Sequence, residues 1–383
     1  MRRLSFVSLL FAISALMVMS PARAAGWTAT ATTLDLIAGP GRTAAFLAPD
    51  GSRFAYIKGD DLCIYSIAGE KGDCVTLDDD ISLDLDSVRW SPDGTKLAFS
   101  EDFILTFRDS DIWVYDTKTN AITDLTSAPN RDLKFLSNTD PNVIYTVDMI
   151  PQWTSDSQSI IFIRYVFNKP GDARAVFYKT NIKDGTIEEL APIDTHYNFS
   201  TYGFALSPDD STIAYNIDTR GKEKDGTWFL DVATQKTKFA AAPVQETSTW
   251  TYQFSADGER VLSIGIDATG AIRPRPPEAS PIYTLPVSGG RQQDLSIDSY
   301  VFSAGWGPEG SELAYATFDP LNKDQEGLYI TSAPGQKGDL VLAGRFIAPS
   351  GRSLTPIFWA ANNTLLVSQV PDLKLTVVQL KPS

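Results

Sequence analysis

The chain reads as an all-β protein, a seven-bladed β-propeller whose last blade is closed by the N-terminal strand. Three observations predict this: a turn phrase that recurs seven times, strand-like runs on either side of each copy, and a missing last strand that the N-terminus can supply. The phrase is a large apolar residue followed by a turn of Pro, Asp and Gly type. Its copies are Leu47-Ala-Pro-Asp-Gly51, Trp90-Ser-Pro-Asp-Gly94, Trp153-Thr-Ser-Asp-Ser157, Leu206-Ser-Pro-Asp-Asp210, Phe254-Ser-Ala-Asp-Gly258, Trp306-Gly-Pro-Glu-Gly310 and Trp359-Ala-Ala-Asn-Asn363. The starts lie 43, 63, 53, 48, 52 and 53 residues apart. A period of this size holding several short strands is the signature of a propeller. Radial repetition also suits the length: 383 residues exceed what one core holds, since single cores stop growing near about 250–300 residues, whereas each blade packs only on its neighbours.

Residues 1–24 come first and read as a signal peptide. Arg2 and Arg3 form the positive region, Leu4 to Met19 is an uncharged apolar stretch, and Ala22-Arg-Ala24 is a small-x-small cleavage site. The stretch is short against the roughly 20 residues a spanning helix needs. Cleavage removes Arg2, Arg3 and Arg23 from the 33 basic residues, leaving 30 against 47 acidic ones, a mature net charge of −17. That balance argues against nucleic acid and against anionic membrane surfaces. No later stretch is long and apolar enough to span a membrane. The mature part, residues 25–383, reads as a single domain with blades starting near 43, 87, 149, 202, 250, 301 and 355.

Trp27 to Ile37 alternates Thr with apolar residues, a strand pattern with no partner nearby. Blade one contains both cysteines, Cys63 in Asp61-Leu-Cys-Ile-Tyr65 and Cys74 in Asp73-Cys-Val-Thr-Leu77, with Gly69 and Gly72 marking the turn between them. If the two runs pair as a hairpin the cysteines face each other, and in an exported chain a disulfide is expected, against two unpaired buried thiols as the alternative.

Blade two shows the repeat most fully. Ser87–Trp90 is its inner strand, Lys96–Ser100 the second, Asp111–Tyr115 the third and Ala121–Leu125 the outer one. Pro presets φ and Gly accepts φ > 0 in the turns between them. In blades three to six the turns after strands one and three are short, as in Lys183-Asp-Gly185 and Ser288-Gly-Gly290. The connections after strand two are long: Asn168–Arg174, Asp218–Gly226, Asp267–Pro281 and Asp319–Gly327. In a propeller these long connections share one rim with the links between blades, and long loops on a rigid scaffold are where binding usually resides. Blade seven offers Pro356–Trp359, Thr364–Gln369 and Lys374–Leu380 and then stops, so the N-terminal strand is expected to complete it.

The phrase Trp90-Ser-Pro-Asp-Gly94 with Lys96-Leu-Ala-Phe99 and Asp111-Ile-Trp-Val-Tyr-Asp116 resembles the repeat of TolB-type propellers, proteins of the bacterial envelope, and is similar to propeller repeats of prolyl-oligopeptidase-type peptidases. The resemblance spans roughly residues 43–380 at the level of the repeat. It implies the architecture and an envelope setting. The chain departs from TolB in having seven copies rather than six and no separate N-terminal α/β domain, and it lacks the Gly-His and Trp-Asp signature of the eukaryotic WD40 repeats.

Chemistry-bearing motifs are few. The single histidine, His196, excludes sites that need two, such as the His-Glu-x-x-His zinc proteases. There is no Gly-x-Ser-x-Gly elbow, no Walker loop and no dinucleotide fingerprint. The candidate binding face is the long-connection rim, with His196, Tyr197 and Tyr202 between blades three and four, and with Arg273 and Arg275 in the Pro-rich stretch after Asp267. Alternating Arg and Pro favour a stiff, extended basic finger that could dock a carboxylate or an acidic partner. Asp78-Asp-Asp-Ile-Ser-Leu-Asp-Leu-Asp86 enters blade two, and Asp80, Asp84 and Asp86 are weak candidates for a calcium site, although the spacing does not match an EF-hand. Asp148 is a second acid that could face the axial channel. No cofactor is otherwise expected.

Two functions follow as expectations. The first is a non-enzymatic, monomeric binding or scaffold propeller, periplasmic or secreted, engaging a protein or peptide of the cell envelope. The alternative is a propeller enzyme, lactonase- or lyase-like, using channel carboxylates and a divalent cation; a carbohydrate binder is a third.

Overall fold

The structure is a computed structural model. It describes residues 26–36, 44–59, 61–78, 81–106, 108–127, 140, 142–167, 174–193, 203–217, 225–242, 247–267, 282–295, 300–319, 322–349 and 356–383. Its strands form seven four-stranded antiparallel sheets, and in six of them the strands follow one another in chain order. Blade one is Ala45–Leu47, Arg53–Lys58, Asp61–Ser66 and Lys71–Thr76. Blade two is Arg89–Trp90, Lys96–Ser100, Ile112–Asp116 and Ile122–Asp124. The first strands of neighbouring blades approach one another, so they surround the axis and the fourth strands face outward. The antiparallel order puts the turns after strands one and three on one rim and the longer connections on the other.

The seventh sheet closes the ring. Trp27–Leu34 pairs along its whole length with Lys374–Pro382, from Trp27 opposite Pro382 to Leu34 opposite Leu375. The N-terminal strand is therefore the outer strand of the blade built by the C-terminus, as the sequence predicts. The inner strand of this blade is split. Phe346–Ile347 pairs with Gln369 and Ser368, whereas the expected strand Pro356–Trp359 contributes one bridge, Trp359 to Leu365. Pro349 and Pro356 flank the break, and proline cannot donate to a ladder. The backbone turns to its neighbours instead: Ile357 N–H donates to Ala304 O of blade six at 2.9 Å, and Ala45 N–H of blade one donates to Pro349 O at 2.9 Å.

Hydrophobic packing follows the ring. Among the described residues there are seven apolar clusters, and each lies between one pair of adjacent blades. The two-residue period of a strand assigns its side chains to alternate interfaces. In blade one Phe54, Tyr56, Cys63 and Tyr65 pack toward blade seven, whereas Ala55 and Leu62 pack toward blade two. Strands buried on both faces read as nearly continuous apolar runs such as Ser159-Ile-Ile-Phe-Ile163.

The recurrent turn has a mechanical part in this packing. Its fifth residue sits at positive φ in all seven copies: Gly51, Gly94, Ser157, Asp210, Gly258, Gly310 and Asn363, between 60° and 82°. Glycine adopts this conformation without strain. Two of the three exceptions gain a bond to a neighbouring blade. Ser157 Oγ accepts Asp93 N–H at 3.1 Å, and the Asp210 carboxylate accepts the N–H and the hydroxyl of Ser155 at 2.7–3.0 Å. In four copies a Ser or Thr hydroxyl donates to the turn carboxylate at 2.6–2.7 Å: Ser91 to Asp93, Thr154 to Asp156, Ser207 to Asp209 and Ser255 to Asp257.

Candidate functional site

Most of the residues singled out for binding lie outside the described residues: His196, Tyr197, Tyr202, Arg273, Arg275 and Asp80. Three of the described arginines, Arg164, Arg345 and Arg89, sit on or beside a blade strand and organise the polar contacts around them.

The first is Arg164. The run Ile160-Ile-Phe-Ile-Arg164-Tyr-Val-Phe167 places it on the second strand of blade three, directly opposite Asp148 on the first. Its Nε donates to Asp148 Oδ1 and its Nη2 to Asp148 Oδ2, both at 2.7 Å. The guanidinium also covers the rings of Phe162 and Tyr178 at 5.4 and 5.1 Å. Asp148 is wholly buried, and burial pushes its carboxyl upward against the hydrogen bonds and charge of Arg164. Desolvation opposes the arginine's charge too, yet the hydrogen bonds and charge of Asp148 hold the guanidinium above its ordinary value. The two-point contact identifies the pair as ionised, because both carboxylate oxygens accept from N–H donors. Asp148, the acid that could face the axial channel, is wholly buried and bound at both oxygens by Arg164. The arginine sits among apolar residues and needs a buried counter-ion, and the register supplies Asp148.

Further polar groups extend this layer between blades two and three. Ser110 Oγ donates to Glu101 O at 3.0 Å and to Asp148 O at 2.9 Å. Asp111 N–H donates to Glu101 Oε2 at 3.0 Å, and Thr126 Oγ1 donates to Asp111 Oδ1 at 3.2 Å. Asp109 Oδ1 accepts Thr146 N–H at 3.1 Å. These contacts tie the connection after strand two of blade two to the first strand of blade three. They fix a joint in the scaffold.

The second arginine, Arg345, follows the outer strand of blade six. Its Nη2 and Nε donate to Glu326 Oε1 and Oε2 at 2.8 and 3.2 Å, and it lies 4.1 Å from the Phe318 ring centroid. Gly344 N–H donates to Glu326 O at 3.0 Å and Val370 N–H to Arg345 O at 2.9 Å, so the clamp joins blade six to blade seven. Nothing local in the sequence marks Glu326 as its partner, because the contact spans 19 residues.

The third, Arg89, lies on the first strand of blade two between the buried residues Val88 and Trp90. Its Nη1 donates to Asp86 O at 2.8 Å and to Val88 O at 2.9 Å. Desolvation pushes its pKa down, against the charges of Asp86 and Asp84. Of the calcium candidates Asp80, Asp84 and Asp86 the last two are described, and Asp84 Oδ1 accepts Asp86 N–H at 3.1 Å. They thus lie in the field of a guanidinium. Among the described residues no group of three or more His, Cys, Asp and Glu side chains is arranged to hold a metal ion.

Away from the rim, Cys63 and Cys74 stand directly opposite each other on strands three and four of blade one and form a disulfide, with 4.0 Å between the Cα atoms. Cys63 is buried and Cys74 exposed. Among the described residues no helix is long and apolar enough to cross a membrane.

The chain is a seven-bladed β-propeller, and solved propellers resemble it across most of its length. An oligogalacturonate lyase from Vibrio parahaemolyticus superposes with a TM-score of 0.60 at 11% identity, covering 94% of this chain and 98% of that one. The Kuenenia stuttgartiensis hydrazine synthase does so with a TM-score of 0.56 at 12% identity, covering 90% of this chain and 97% of that one. A TolB candidate from Agrobacterium tumefaciens is 20% identical over 72% of this chain and 90% of that one, with a TM-score of 0.47. At these identities the likeness is one of fold. No protein-family model and no curated protein matches the chain.

Proposed function

We propose that this is an exported propeller that binds a protein or peptide of the cell envelope through its long-connection rim. The observation that carries the reading is the division of the two faces. One rim is built of short, capped turns cross-bonded between blades, as at Asp93–Ser157 and Ser155–Asp210. The other receives the long connections and is braced from beneath by the Arg164–Asp148 and Arg345–Glu326 pairs. A rigid ring that presents long loops on one side suits a binding scaffold. Export is supported by the signal-like residues 1–24 and by the Cys63–Cys74 disulfide, a bond that persists in oxidising compartments. The acids of blades two and three serve as hydrogen-bond acceptors within the joint, which favours binding over carboxylate catalysis.

The test is capture from envelope extract with purified mature protein. A specific partner is expected, and it should be lost on reversing the charge of the basic finger (Arg273→Glu with Arg275→Glu) while the fold melts unchanged. Equal capture by the wild type and by this variant, together with a His196→Ala/Tyr197→Ala variant, would remove the rim from the binding surface.

A further inference from the structure

The three arginines form an internal comparison. Arg164 and Arg345 each present the same edge of the guanidinium, Nε with Nη2, to a carboxylate, and each edge is filled by two hydrogen bonds. This edge matches the two oxygens of a carboxylate, which is the geometry arginine is suited to recognise. Arg89 differs. Its Nη1 is used by two backbone carbonyls, which pin the side chain and leave the Nε–Nη2 edge with three donors. Among the described residues no carboxylate lies within ion-pair distance of it. The residue as a whole is partly exposed. Burial depresses its pKa, against the charges of Asp86 and Asp84.

Its place explains the combination. Arg89 lies on the innermost strand of blade two, where the first strands of the ring converge, and the backbone at this position is held from both sides. Trp153 of blade three donates its indole N–H to Arg89 O at 3.0 Å, and Trp90 bonds Phe46 O of blade one at 2.8 Å. A guanidinium anchored through one nitrogen, fixed in a rigid strand and without a carboxylate on its bidentate edge among the described residues is preorganised for an anion.

We propose that Arg89 is a ligand-binding residue that receives a carboxylate along its Nε–Nη2 edge, inside the ring at blade two. The carboxylate accepts one N–H on each oxygen, as Asp148 and Glu326 do at the other two arginines. The shared chemistry is the carboxylate, whether of a small organic acid or of a peptide C-terminus. The inference does not rest on the rim reading, since Arg89 belongs to the inner strand.

The experiment uses the full mature protein and three probes: succinate, triglycine with a free C-terminus and triglycine amide. Succinate or free triglycine is expected to raise the melting temperature saturably, and triglycine amide to leave it unmoved. A response to succinate alone identifies a small acid as the ligand class, and a response to the free peptide identifies a C-terminus. Arg89→Lys and Arg89→Gln should each weaken the response roughly tenfold or more, the size of a lost bidentate, charge-assisted contact. Should both variants fail to fold, protection decides. Phenylglyoxal labelling of Arg89 in the wild type, followed by mass spectrometry, should slow in the presence of the stabilising probe. No saturable shift from either carboxylate, an undiminished shift in a folded Arg89→Gln, or labelling that no probe slows overturns the proposal.

Discussion

Single residues hold the blades in register. The tryptophan that opens a repeat donates its indole N–H to a carbonyl of the preceding blade's inner strand: Trp90 to Phe46 O at 2.8 Å, Trp153 to Arg89 O at 3.0 Å and Trp306 to Gln253 O at 3.2 Å. The ring fills the interface and its one polar atom satisfies a carbonyl beside it, which explains why the position is tryptophan rather than phenylalanine in these copies. Trp90→Phe keeps the packing and strands the Phe46 carbonyl. It should cost about 1–2 kcal/mol in denaturant unfolding, and a second change at Trp306 should add independently because it acts at another interface. The turn carboxylates make the fold acid-sensitive. Hydroxyl hydrogen bonds from Thr154, Ser207 and Ser255 hold Asp156, Asp209 and Asp257 below the usual carboxylate range. A depressed folded pKa contributes stability that is complete above the unfolded value and is lost as pH falls through the folded one. A Thr154→Ala/Ser207→Ala/Ser255→Ala variant should therefore melt below the wild type at neutral pH, and the gap should narrow as the pH falls through the carboxylate range, while the backbone contacts of the same hydroxyls keep it from vanishing.

Blade seven is the element in which local pattern and assembly disagree. Its inner strand leaves the sheet after Ile347 and re-enters beside blade six, where Ile357 bonds Ala304. The close approach depends on Gly305, because a Cβ at that position would collide with the backbone carbonyl of Ile357. Gly305→Ala forces two backbones apart and should destabilise the ring by at least about 2 kcal/mol, read as a lowered midpoint in denaturant. An unchanged midpoint would mean that this junction yields freely. The outer strand of the same blade is secured at its first residue: Trp27 packs edge-on against Trp359 at 5.5 Å and donates its indole N–H to Glu312 Oε1 of blade six at 3.2 Å. Burial pushes Glu312 upward against that hydrogen bond.

At the scale of the whole molecule, the recurrence of one turn phrase was enough to read the ring, since each copy carries its own αL residue and its own pair of flanking strands. The cysteine pair was legible for the same local reason, as two short strands joined by a Gly-containing turn. The strand Asp111–Tyr115 was legible as well, but the assignment of its two faces was not. Ile112 and Val114 serve the interface with blade three, whereas Trp113 and Tyr115 serve that with blade one, so both faces are interior. Asp148 was visible as an acid near the start of blade three; its union with Arg164 lies in the register. Local information therefore determined the repeat, the blade count and the closing of the C-terminal blade by Trp27–Leu34, because turn chemistry and strand period act over a few residues. Only the tertiary structure decided which arginines find a carboxylate within the fold, because charge pairing depends on which strands the ring brings together.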